Sequence, residues 1–248
     1  MDCGKMRAFT TLAFIYDQIM DEQLYEEWYN FTLHHINNGK SLLELACGTG
    51  DLALKFAREG YQVTALDLSE EMLAMASQQA QEEQTPVQFV QGDMMDLSEI
   101  GSYEIVTCYA DSICYLANKA EVQTAFEQVY QVLEEDGIFL FDVHSLYQMD
   151  EVFPDYSYHY QAEDFAFLWE SYPGEVAHSI EHFLTFFIKK EGETFTREDE
   201  LHFERTYSLD TYQILLKQAG FSQVELYADF TDSEPTETSQ RWFFVCHK

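Results

Sequence analysis

Residues 42–51, LLELACGTGD, constrain this chain more than any other stretch: an apolar run takes a carboxylate near its end and enters a loop with two glycines one residue apart. A buried strand that turns through glycines into a helix belongs to a parallel α/β sheet, where the turn lies at the carboxyl edge and its backbone comes close to a ligand. The chain around it keeps that rhythm. From Ser41 to Val143 short apolar runs alternate with longer amphipathic ones, as parallel strands joined by crossover helices require. Strands are expected at 41–46, 62–67, 87–91, 103–109 and 137–143. A helix is expected from 51 to 58, closed by Gly60. Another starts at the cap Ser69, with Glu70 and Glu71 in its first turn and Met72, Leu73 and Ala76 facing inward. A third spans 119–134, with Val122, Phe126, Val129 and Leu133 at helical spacing and Gly137 beyond its end.

After Asp142 the pattern changes. Residues 145–207 are crowded with aromatics, and FAFLWESY, HSIEHFLTFFI and EDELHFERTY alternate with period two, predicting antiparallel strands. A helix from 208 to 219 and strands at 223–230 and 241–247 then resume the earlier rhythm. The expected organisation is one α/β domain made of residues 1–144 and 208–248, interrupted by a small antiparallel β insertion, 145–207, near the end of the sheet. A length of 248 residues suits one domain with such an elaboration.

Charge narrows the ligand. With 45 acidic against 13 basic residues, the net charge of -32 opposes contact with phosphate backbones or anionic lipid, which argues against nucleic acid and membrane partners. Five cysteines without a CxxC pair or zinc spacing read as reduced thiols and place the chain in the cytoplasm, with no metal centre expected. Neither a membrane span nor a signal-peptide core is expected. Taken alone, Gly48, Gly50 and Ala53 satisfy the G-x-G-x-x-G/A pattern of dinucleotide binding, with Asp67 as the ribose acid. A pyrophosphate, however, seeks a helix N-terminus free of negative charge. Here Asp51 occupies that first turn and Glu44 stands just before the loop, so the site suits a ligand carrying an ammonium and a sulfonium, as S-adenosylmethionine does. A third acid follows at the end of the third strand in VQFVQGDMMDL.

With ELACGTGD, VTALDLSEEML and QGDMMDL at three successive strand ends, the chain resembles the class I S-adenosylmethionine-dependent methyltransferases over nearly its whole length, and FDVHS, DSICYL and the closing PTET…FFV look like their YqeM-type bacterial branch. The resemblance implies a Rossmann-like sheet and a set of cofactor contacts. Glu44, Ala46, Gly48 and Gly50 would line the methionine end. Asp67 would take the ribose hydroxyls with Leu68 and Met72 nearby, and Asp93 and Met94 the adenine. Tyr109, at the end of the fourth strand, and Tyr16, in the segment LAFIYDQIM that resembles a cofactor-covering F-A-x-x-Y-D motif, complete the set.

Methyl transfer is an in-line displacement that asks mainly for alignment, exclusion of water and, where needed, a base. Candidates lie after strands four and five and in the insertion: Asp111 and Tyr115 in YADSICYL, His144 in FDVHS, and His202, Arg205 and Tyr207 in ELHFERTYS. In that last stretch His202, Glu204 and Thr206 should share one face of a strand, with Phe203, Arg205 and Tyr207 on the other. Arg205, among aromatics, is a candidate to grip a carboxylate bidentately. Asp111 stands where glycine N-methyltransferase-like enzymes often carry Asn, which leaves that substrate class open. The expected activity is methylation of a small molecule, with the insertion as a lid. The alternatives are an RNA-modifying methyltransferase or a cofactor-binding protein without catalysis. No oligomeric state is implied.

Overall fold

Strand β1 (Ser41–Leu45) has four buried residues in a row, as a strand covered on both faces must. It pairs in parallel with β2 (Gln62–Asp67) on one side and β4 (Tyr103–Cys108) on the other. In this computed structural model residues 22–36, 39–190, 192 and 194–248 are described; Tyr16 and Cys3 lie outside them. β2 continues to β3 (Gln88–Gln91), and β4 to β5 (Leu133–His144), all parallel. β11 (Arg241–His247) then runs antiparallel between β5 and β10 (Gln223–Ala228), giving the order β10-β11-β5-β4-β1-β2-β3. The strand order reverses between β1 and β4, and such a switch point opens a crevice at the carboxyl edge.

Helices cover both faces. On one side α1 (Glu22–His35), α2 (Asp51–Arg58) and α3 (Glu70–Glu83) bury Trp28, Phe31, Leu52, Phe56 and Leu73 against Leu42, Ala65 and Phe243. On the other, α4 (Lys119–Val132) and α5 (Leu209–Ala219) bury Phe126, Val129, Tyr212 and Leu216 against Phe139, Phe141 and Phe244. Each large side chain taken fully out of water contributes roughly 1.5–3 kcal/mol. The helix starts follow the caps read from sequence: Ser69 Oγ accepts from the Met72 amide at 3.1 Å, and Ser208 Oγ from Thr211 at 3.3 Å.

Residues 157–205 build a second, four-stranded antiparallel sheet, β6 (Ser157–Gln161), β7 (Phe165–Pro173), β8 (Ser179–Lys189) and β9 (Phe195–Arg205), in sequential order. Its inner face carries Phe165, Phe167, Leu184 and Phe186. It also carries buried His182, Glu200, His202 and Glu204. The polar end of β9 packs on a short 3₁₀ turn, Ser112–Tyr115, that follows β4.

Most limits agree with the sequence reading to within a residue, and the larger differences have local causes. α4 stops at Val132 rather than 134 because Leu133 already pairs with Tyr103, and β5 passes through an irregularity, with Asp136 at φ 62°, before regaining register at Ile138. β10 ends at Ala228 rather than 230 because Asp229 and Phe230 both take left-handed backbone, φ 51° and 57°. The sequence reading holds no counterpart of α1: its stretch EQLYEEWYNFTLHH mixes aromatics and acids without a clear apolar stripe, and packing of Trp28 and Phe31 on the sheet supports it.

Gly50 shows how tightly the loop is drawn into this core. Its φ is +85°, and a Cβ there would stand 2.9 Å from the Ala76 Cβ of α3. Gly50→Ala is therefore expected to lower unfolding free energy by about 1–3 kcal/mol, from left-handed strain and overpacking together. Urea denaturation measures it, and an unchanged midpoint would show that α3 yields freely.

Candidate functional site

The loop after β1 is held by backbone and one carboxylate. Ala46, Gly48 and Gly50 all have positive φ, and the Cys47 amide donates to the Leu66 carbonyl at 3.0 Å. Asp67, at the end of β2, accepts from the Gly48 amide at 2.8 Å and from Ser69 at 2.9 Å, so one side chain ties the loop to the start of α3. In front of Gly48 a Cβ would meet nothing within 4 Å, which leaves room at the loop for a ligand. Glu44 lies behind it, buried, with its Oε2 unpartnered among the described residues. Burial first, then the nearby Asp51 and Asp67, push the Glu44 carboxyl well above its ordinary value. Burial likewise raises Asp67, against the two amides that favour its charged form. An unsatisfied carboxylate beside two others calls for a cation, so the loop fits a group bearing an ammonium better than a diphosphate.

The remaining loop-side candidates are spread along the edge. Met72 is buried at the start of α3, while Leu68 is exposed. After β3, Gly92 keeps its backbone against Leu66, where a Cβ would sit 2.9 Å from the Leu66 Cδ1. Asp93 accepts from the Met95 amide at 2.9 Å, and half-buried Met94 packs on the core. Tyr109 lies inside: its ring stacks on Trp28, and its hydroxyl meets Thr32 Oγ1 at 2.7 Å. Its phenol is thus part of the α1 interface.

A second constellation forms where the 3₁₀ turn, the end of β5 and the inner face of β9 meet. His144 Nε2 stands 3.2 Å from Asp111 Oδ1 and 3.5 Å from Glu204 Oε2. Arg241, at the start of β11, reaches Asp111 with Nη2 at 2.7 Å and Asp142 with Nη1 at 2.6 Å. Asp142 also receives the Trp28 indole N–H at 2.9 Å and the Asp111 amide at 3.0 Å. Burial opposes the charge on Asp111, but His144 and Arg241 outweigh it and hold the carboxyl below its ordinary value. Burial equally opposes Arg241, which Asp142 and Asp111 keep protonated.

Beside this cluster His202 Nδ1 lies 3.3 Å from the Tyr115 hydroxyl, and its Nε2 lies 3.2 Å from Glu200. His182 Nδ1 receives the Trp169 indole N–H at 3.0 Å. Because an indole can only donate, the proton of neutral His182 sits on Nε2, the nitrogen that faces Glu204 Oε1 at 3.4 Å. The fold therefore brings Asp111 and His144 together, with Tyr115 and His202 alongside. Arg205 and Tyr207 are not among them. Arg205 stacks over the Tyr207 ring at 4.9 Å, and Tyr207 packs against Tyr212 of α5. Alternation along β9 points Glu204 at the cluster instead. Glu204, His182, Asp142 and Arg241 are the residues that sequence reasoning missed. Glu204 shares a strand face with His202 and could have been found from that period; Arg241 and His182 carry no local signal.

The four described cysteines, Cys47, Cys108, Cys114 and Cys246, are free and buried. Among the described residues no helix is long and apolar enough to cross a membrane.

Comparison with known proteins adds a direct likeness. Residues 42–137 match the family model described as a methyltransferase domain. Two bacterial proteins that are provisionally named methyltransferases resemble nearly the whole chain. One, from Geobacillus sp., is 41% identical over 97% of this chain and 99% of its own; the other, YqeM of Bacillus subtilis, is 39% identical over 95% of each. Among solved structures, an S-adenosylmethionine-dependent methyltransferase from Clostridium acetobutylicum shares the fold with a TM-score of 0.84 at 24% identity, over 96% of this chain and 98% of its own.

The raised Glu44 pKa sets a pH test. The folded chain holds that proton more tightly than the unfolded chain, so its contribution to stability is present below the ordinary glutamate value of about 4.3 and is lost as pH rises through the folded value. Glu44→Gln should remove that loss, making the ligand-free variant more stable than the wild type at neutral pH but not at about pH 4. Thermal melts across that range decide it; an equal or lower midpoint at neutral pH means Glu44 is already satisfied.

Proposed function

Because the chain belongs to the class I S-adenosylmethionine-dependent methyltransferases, in a branch shared with YqeM, we propose that it methylates a small molecule held between the carboxyl edge of the central sheet and the inserted β-sheet. The observation that carries this reading is the contact of β9 with the ends of β4 and β5: His202 and Glu204 of the insertion face Tyr115, Asp111 and His144. An insertion so seated acts as a lid, residues 145–207, over the domain made of 1–144 and 208–248. The net charge of -32 disfavours a nucleic acid.

In this proposal the loop from Ala46 to Gly50, with Glu44 behind it, receives the cofactor's methionine end, Asp67 its ribose, and Asp93 with Met94 its adenine. When bound, the cofactor supplies a methyl carbon made electrophilic by a sulfonium. The chain's own residues align and dry the site. Buried Phe153 stands against His144 at 4.9 Å between ring centroids and helps exclude water. His144 Nε2 faces two carboxylates and donates to Asp111, while Glu204 Oε2, without a hydrogen-bond partner among the described residues, is the atom placed to accept a proton from an acceptor at this edge. Asp111 orients the His144 ring.

Calorimetry should show binding of S-adenosylmethionine or its demethylated product and none of NAD. Asp67→Ala should weaken that binding by roughly 1.5–3 kcal/mol, the worth of hydrogen bonds to a charged group. An unchanged dissociation constant in a folded variant would remove Asp67 from the site, and tight NAD binding would overturn the cofactor assignment.

A further inference from the structure

The junction of the two sheets buries more negative charge than its own cations balance. Arg241 is divided between Asp142 and Asp111, at 2.6 and 2.7 Å. Glu204 is 4% exposed, and its Oε2 has no hydrogen bond among the described residues. Its nearest imidazoles are His144 at 3.5 Å and His182 at 3.4 Å, and the His182 Nδ1 lone pair is already taken by the Trp169 indole N–H. Setting Asp111, Asp142 and Glu204 against Arg241 and His144 leaves net negative charge whether or not His144 is protonated. Burying such an excess is costly. A fold retains it where an arriving cation offsets it.

The surroundings favour an organic cation. Phe153 lies against both imidazoles, 4.9 Å from His144 and 4.8 Å from His182 between ring centroids, with Trp169 at 6.3 Å, so the carboxylates are set among aromatic rings. Carboxylates among aromatic rings suit an ammonium. Asp111, His144 and Glu204 also have ligating atoms within 4.8 Å of one another, which a divalent metal could use. Against a metal, the Asp111 oxygen that faces His144 already receives the Arg241 guanidinium, which sets a positive charge beside any ion.

We propose that the methyl acceptor is an aliphatic amine, bound as its ammonium by Glu204 and Asp111 beside Phe153 and deprotonated by Glu204. This rests on the methyltransferase reading above. An ammonium N–H bond breaks and its proton passes to Glu204 Oε2. The freed nitrogen pair bonds the methyl carbon, and the electron pair of the broken carbon–sulfur bond stays on sulfur. Glu204 then returns its proton to water.

Two measurements test this. Glu204→Gln keeps the shape and removes one buried charge, so the ligand-free variant should melt at a higher temperature than the wild type. A lower midpoint shows a satisfied structural carboxylate and overturns the proposal, as does stabilisation of the wild type, but not of the variant, by Mn²⁺ or Zn²⁺. Independently, the protein is given cofactor labelled with ¹³C at the methyl group and the small-molecule fraction of a Bacillus subtilis extract. The carbon chemical shift of the product separates N-methyl from O- and S-methyl. An N-methyl product that Glu204→Gln reduces at least tenfold, with cofactor affinity unchanged, supports the amine. An O- or S-methyl product overturns the amine while leaving the methyltransferase reading intact. Cofactor binding without any small-molecule product overturns the reading on which the amine rests.

Discussion

Asp142 is the group on which the two halves of this molecule lean. It is fully buried on β5, and it holds the Trp28 indole of α1, the Arg241 guanidinium of β11 and the Asp111 amide after β4. A buried carboxylate is tolerated only when its lone pairs are met, and removing one partner of such a pair costs about 3–5 kcal/mol. The same three contacts bring α1, the start of β11 and the turn after β4 to one point. The backbone there is correspondingly constrained: Ala110 and Asp111 both take positive φ, 53° and 51°. That strained pair aims Asp111 at His144, an arrangement that costs stability and is kept where geometry matters for chemistry.

At the other side of the crevice Asp67 has a similar double duty. Its carboxylate is committed to the Gly48 and Ser69 amides, so it shapes the glycine loop before any ligand reaches it. Glu44 is the opposite case, a buried carboxylate with an unmet oxygen. The two acids differ in what they lack, and the difference explains why the loop favours a cationic ligand. The acidic surface extends the preference outward, since a net charge of -32 repels anions before they reach the crevice.

The inserted sheet joins these regions through one strand. β9 is hydrogen-bonded along its length to β8, yet its polar end faces Tyr115 and His144. Its inner face changes from apolar near Phe186 to charged at Glu204, so one sheet has both a small core of its own and a wall of the candidate site. An antiparallel ladder is a precise support for side chains, which suits the polar groups that β9 sets against the ends of β4 and β5.

How much was legible in the chain depends on how local each signal is. The parallel strands, the glycine loop, the caps Ser69 and Ser208, the acids at the strand ends and the antiparallel character of the insertion are written within a few residues, because periodicity, capping and turn chemistry act over that range. By these the sequence by itself determined the α/β class, the methyltransferase family and the cofactor. Which acceptor-side groups meet was decided only in three dimensions. Asp111 and Arg241 are 130 positions apart, and Asp142 and Trp28 are 114 apart. Arg205 read as the functional cation because it stands among aromatics, but side-chain alternation turned it to Tyr207 and turned Glu204 inward. A buried charge must find its counter-charge wherever the chain returns, and no local rule of composition or spacing specifies that place.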